Sequence, residues 1–217
     1  IMLVMVLYNT FIFLSVRDIS YLYYVLYVGF ALIYFTTDHG LSFELLWPDS
    51  PTWGNQGLEF FTALTGAFAM LFTQSFLQTK VHAPIMHRLL SLMIAISFLL
   101  ARAAFWGDYT QVAIALSVMA VLFNLAAFFA GVRCFQKGYR PARFFLVAWS
   151  IYLFGISLYV MGLFAVLPVN LLTIHGIQIG STLEVALLSL GLADRINRLR
   201  QDALTAKMEA FHALHDP

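Results

Sequence analysis

The feature that most constrains this chain lies between Asn170 and Leu214. An apolar run, LLTIHGIQIGSTLEVALLSLGLA, fills residues 171–193 and gives way at Asp194 to DRINRLRQDALTAKMEAFHAL, which is charged and rich in helix formers. At 1.5 Å per helical residue the apolar part is long enough to cross a hydrocarbon core of roughly 30 Å. No Gly or Pro stands between Gly191 and Pro217 to stop the helix. The pattern predicts one rod that leaves the bilayer near Ala193 and continues in water.

Composition sets the class for the rest of the chain. Hydrophobic residues make up 61% of it and charged residues 11%, whereas soluble domains carry about a quarter charged residues. This is the composition of a multi-pass membrane protein, whose main partner is the lipid bilayer. A net charge of +1 argues against a nucleic-acid partner. The lone Cys134 excludes a disulfide framework and a thiolate metal cage.

Seven apolar segments follow one another, at residues 1–16, 21–35, 58–77, 89–106, 109–132, 144–167 and 171–193. The expected fold is an all-α membrane protein, a seven-transmembrane helix bundle whose last helix extends into the cytoplasm. Arg17-Asp18 and Gly107-Asp108 leave room only for tight turns. The connection DHGLSFELLWPDSPTWGNQ is too polar and Pro-rich to lie in lipid. Ile1 is not an initiator Met, and the first segment is short of the roughly twenty residues a span needs. Residues 1–194 therefore read as a transmembrane domain with a truncated first helix, and 195–217 as a cytoplasmic signalling helix leading to an output domain that lies beyond it.

Of twelve Lys and Arg residues, eleven fall in alternate loops or in the tail: Arg17; Lys80 and Arg88; Arg133, Lys137, Arg140 and Arg143; Arg195, Arg198, Arg200 and Lys207. The positive-inside rule then puts the C-terminus in the cytoplasm and the N-terminus outside. Arg195, Arg198 and Arg200 are expected to meet anionic headgroups.

Polar residues inside spans cost on the order of 2.5–3.5 kcal/mol when unpaired at mid-bilayer, so they mark the bundle interior. Gly176, Gly180 and Glu184 are spaced i, i+4, i+8 on one helix face, and the two glycines form a small-xxx-small seam for a neighbouring backbone. Ser91, Ala95 and Arg102 share a face of the fourth segment that reads as interior. So do Ser117, Ala120, Asn124, Ala127 and Gly131 on the fifth. Glu59, Arg102 and Glu184 are the candidates for a buried polar network that relays a signal, with a static pair holding helices in register as the alternative. Asn9 and Asn124 read as packing glue.

Catalytic and cofactor sites are not indicated. The lysines, Lys80, Lys137 and Lys207, all lie outside the spans, which excludes a retinal Schiff base. The HExxH spacing of a metalloprotease is absent, and no two histidines within a span have ligand spacing, so neither metal nor haem is expected. In the tail, Ile196, Leu199, Ala203, Ala206, Ala210 and Ala213 recur at alternating three- and four-residue steps, the seam of a coiled coil. This signalling helix is expected to pair two copies of the chain as a homodimer, weakly on its own because most seam positions are alanine.

The run LYNTFIFLSVRDISYLYYVLYVGF, then Gly40 through ELLWP, then FLQT, and finally LEVALLSLGLADRINRLRQD resembles the bacterial seven-transmembrane receptors with diverse intracellular signalling modules. The resemblance covers residues 7–202. It implies a receptor of the bacterial cytoplasmic membrane, with an extracytoplasmic sensor domain ahead of the spans and a cytoplasmic output domain after them. The terminal AFHALHDP resembles the lead-in to a GGDEF diguanylate cyclase, so that family's product, cyclic di-GMP, is the implied output; a histidine kinase is the other output the resemblance admits. The functional expectation is a module that relays an outer signal through the seventh helix. The competing expectation is a transporter of a small solute or ion, with the intramembrane polar residues lining its path.

Overall fold

The computed structural model describes residues 1–45, 47–48, 51–168 and 170–215; within 43–55 and beyond 198 its side chains are described only in part. All regular structure among the described residues is helical. Long helices are α1 (Met2–Val16), α2 (Ile19–Asp38), α4 (Pro51–Phe76), α6 (Pro84–Ala103), α7 (Tyr109–Gln136), α8 (Ala142–Leu163) and α10 (Gly176–His215). Short turns of helix, α3 (Leu41–Leu45), α5 (Thr79–His82) and α9 (Leu171–Ile174), sit in the connections. Five of these helices, α2, α6, α7, α8 and the 176–198 part of α10, are long and apolar enough to cross a membrane, while α1 is apolar but shorter.

Local chemistry sets the boundaries. Arg17 adopts a left-handed conformation, φ 56°, and Asp18 then caps α2 by accepting from the Ser20 amide at 2.7 Å. Asp108 caps α7 through the Gln111 amide in the same way, and Pro84 opens α6 where its missing N–H has no partner to lose. Between α8 and α10 the outcome differs from the uninterrupted run expected from Asn170. The Asn170 side chain accepts from the Leu172 and Thr173 amides in a capping box that builds the single turn α9. The chain bends at His175, and α10 starts afresh at Gly176. From there it runs for 40 residues, about 60 Å, straight through Ala193.

The long helices form a closed ring. Helix α4 packs on α2, α6 and α7; α8 joins α7 to α10; and α10 returns to α1 and α2. Aromatic rings fill the centre on the side where α4 faces α8: Phe72, Phe76, Phe145 and Trp149 stack in succession at centroid distances of 5.4, 6.2 and 5.1 Å. Outside, Leu99, Val121, Phe129, Phe154 and Leu190 are all exposed. So continuous an apolar surface is stable against acyl chains and not against water.

Helices α8 and α10 make the closest approach. A Cβ on Gly155 would overlap the Gly176 carbonyl oxygen and come within 3.0 Å of Gly180 Cα, and one on Gly176 would lie 2.5 Å from the Gly155 carbonyl. Three glycines from two helices therefore meet backbone to backbone, which permits dispersion contact that any side chain would prevent. Further along, a Cβ on Gly191 would sit 2.9 Å from Phe144 Cβ. Gly155→Ala is expected to lower stability by about 1–3 kcal/mol in thermal unfolding of the detergent-solubilised protein. Gly29→Ala, where a Cβ meets nothing within 4 Å, should leave stability equal or raise it by about 0.5–1 kcal/mol.

Candidate functional site

The side of α10 that faces the first helical hairpin carries a ladder of buried polar contacts. Glu184 is fully buried, and its Oε2 accepts from the Tyr27 hydroxyl of α2 at 2.8 Å. One turn back on α2, the Tyr24 hydroxyl donates to the Val185 carbonyl at 2.7 Å. Ser189 donates to Asn9 Oδ1 of α1 at 3.0 Å. At the cation-rich end, Arg195 donates to the Ser20 hydroxyl, which itself shares a 2.7 Å hydrogen bond with Ser75 of α4, and Arg195 lies 3.8 Å from the Asp18 carboxylate. The ladder spans three turns of α10, from Glu184 to Arg195, and binds that helix to α1, α2 and, through Ser75, α4.

This arrangement corrects several expectations. Arg195 is 8% exposed and faces protein, not headgroups, because Ser20 and Asp18 at the start of α2 offer it acceptors. Arg198 pairs with Asp194 at 2.8 Å on its own helix, and the Arg200 side chain lies outside the described ones. Ile196 is buried in the bundle core, so its side chain does not belong to a free coiled-coil seam; the side chains of Leu199 and Ala203 lie outside the described residues.

Arg102 points outward, its guanidinium 5.5 Å from the Trp106 ring centroid. The ion pairs among the described residues are those of Arg195 and Arg198, so Glu59, Arg102 and Glu184 do not come together as one network. Glu59 is buried on α4 with Oε2 unpaired among the described residues, and its neighbour Phe60 belongs to an aromatic group in which Trp53 stacks on Phe105 and Phe60 meets Phe105 edge-on. Helix α6 buries Leu90, Met93, Ser97 and Ala101, leaving Ser91, Ala95 and Arg102 on its outer side. On α7, Ala127 and Gly131 are buried while Ser117 and Ala120 are exposed.

Next to the ladder the ring holds a cavity of about 470 Å³, lined from α2, α4, α7, α8 and α10 with single residues from α1 and α6. Tyr27 belongs to both the ladder and the cavity wall. Tyr152 of α8 is also on that wall. The second Glu184 oxygen, Oε1, has no hydrogen-bond partner among protein groups. Glu184 is thus a buried carboxyl group with one oxygen held by Tyr27 and the other without a partner among the described residues.

Together these features define a multi-pass helical membrane protein with a polar joint between its last long helix and its first hairpin. The sequence model of the family described as 7TM diverse intracellular signalling matches residues 1–195, so the chain belongs to that family. No curated protein and no solved structure matches the chain.

Tyr27→Phe is expected to cost about 1–3 kcal/mol, since it leaves the Glu184 carboxyl buried without its donor. In a double-mutant cycle with Glu184→Leu, the two losses should fall short of additivity by about 1 kcal/mol, as for groups in direct contact. Arg102→Gln, at an exposed position, should change stability by no more than about 0.5 kcal/mol. Chemical unfolding of the parent and the four variants in one detergent checks all three.

Proposed function

We propose that this chain is the transmembrane signal-transduction module of a bacterial sensory receptor, with seven spans, an outer N-terminus and a last helix that carries the signal into the cytoplasm. Membership of a signalling family supports the class. The observation that supports the mechanism is the continuity of α10 from its glycine crossing with α8, past Glu184 and Arg195, to His215. A helix of that length converts a small shift at one end into displacement at the other, without a joint in which to lose it.

The bundle has two packings in this reading. In one, the ladder holds α10 on the first hairpin; in the other, α10 rotates or slides along the glycine crossing and the ladder exchanges partners. The two need differ by only a few kcal/mol for an outer signal to swing the populations. The cytoplasmic part of α10 then changes how two copies of the chain pair, and with it the activity of an output domain that makes cyclic di-GMP. The clustering of Arg17, Lys80, Arg133 and Arg195 near one end of the bundle supports the inward orientation of that end.

In cells producing the complete receptor, Glu184→Gln and Tyr27→Phe should each shift basal cyclic di-GMP in the same direction, several-fold, at unchanged protein level. Basal and stimulated output equal to those of the parent would reject the ladder as the relay. Solute uptake by liposomes containing the purified protein would replace the receptor reading with a transporter.

A further inference from the structure

We infer that the 470 Å³ cavity is a binding site for an uncharged lipophilic molecule, a hydrocarbon carrying a hydroxyl or carbonyl group, that enters sideways from the bilayer. This goes beyond the relay reading and does not depend on it. Its volume falls in the range of sites that take small organic ligands. Among the described residues no Asp, Glu, Lys, Arg or His lines it, so a charged ligand would enter without a counter-charge.

The mouth indicates the route. Val121 and Leu125 line the cavity and are also 61% and 53% exposed on the outer surface, so the wall is open beside α7. Both lie near the middle of a 28-residue helix that crosses the membrane, where the surroundings are acyl chains and not water. A ligand reaching that mouth must first dissolve in the hydrocarbon.

Polar groups inside define the head-group contact. Asn124, between Val121 and Leu125 in sequence, has its Nδ2 donating to the Ala120 carbonyl while its buried Oδ1 has no partner. Together with the Tyr152 phenol, which also lines the cavity, it offers an acceptor and a hydroxyl to an alcohol or carbonyl group, while the Tyr27, Thr62, Thr65 and Ser181 hydroxyls on the wall already donate within the protein. Elsewhere on the wall Gly66 of α4 leaves space, with the nearest atom to a built Cβ being Met70 Cε at 3.9 Å. A hydrocarbon tail fits there against Ala63 and Met70.

The test uses the full chain in lipid nanodiscs with a photoreactive, diazirine-bearing hexadecanol as probe, and peptide mapping of the adducts. Adducts should concentrate on peptides holding Asn124 and Tyr152 and be competed away by unlabelled hexadecanol. Gly66→Leu, which fills the cavity, should reduce them about tenfold, while Gly29→Leu, outside it, leaves them unchanged. Asn124→Leu should weaken competition by unlabelled hexadecanol about fivefold, the loss of one hydrogen bond. Adducts spread evenly over lipid-facing residues, without competition and unaltered by Gly66→Leu, would show annular lipid contact only and overturn the proposal. Thermal unfolding of Gly66→Leu near that of the parent establishes that its loss of labelling is not loss of fold; if that variant unfolds, Ala63→Leu takes its place under the same two outcomes.

Discussion

The fold depends on a polar joint inside an otherwise apolar bundle. In hydrocarbon, apolar side chains gain nothing by meeting each other rather than lipid tails, so helices are held by close packing and by hydrogen bonds that water cannot replace. Helix α10 uses both, on different sides. Toward α8 it presents glycine and brings backbones together; toward α1 and α2 it presents Glu184, Ser189 and Arg195 to Tyr27, Asn9 and Ser20. The last helix is thereby anchored to the first hairpin, which closes the ring.

The two kinds of contact respond differently to movement. A glycine crossing tolerates small sliding and rotation because no side chain interlocks across it, while a hydrogen bond is lost within an ångström or so of displacement. Their combination suits a helix that must take up discrete positions. The adjoining cavity, with Tyr152 on its wall, leaves space beside α10 that a close-packed interior would not.

Much of this was legible in the sequence, for reasons that also explain what was not. Helical membrane segments announce themselves by length and apolarity, and the turns before α2 and α7 were marked by Arg17-Asp18 and Gly107-Asp108. The break at His175 was hidden because Asn170 and Thr173 form their capping box inside an apolar run, where local chemistry outweighs hydropathy. Glu184 stood out as a lone acid, but its partner Tyr27 was one of ten tyrosines with nothing local to distinguish it. Gly155, likewise, is identified only by the glycines it meets across space. Arg102 was mistaken for an interior residue because helix periodicity ranks faces by polarity, and a cation near a helix end reaches outward to an interfacial aromatic instead. Arg195 erred in the opposite direction: a cation just past an apolar run resembles a headgroup ligand until Ser20 and Asp18 are seen beside it.

The central claim, that polar contacts lock α10 against the first hairpin, is most directly tested by a distance. Spin labels at the exposed positions Leu14 of α1 and Leu190 of α10, in protein with Cys134 replaced and held in nanodiscs, report that separation by pulsed electron resonance. The account predicts one narrow distribution, which broadens or splits when Glu184 and Asn9 are both changed to leucine. A distribution already broad with both residues intact, or one unchanged by their loss, would contradict it.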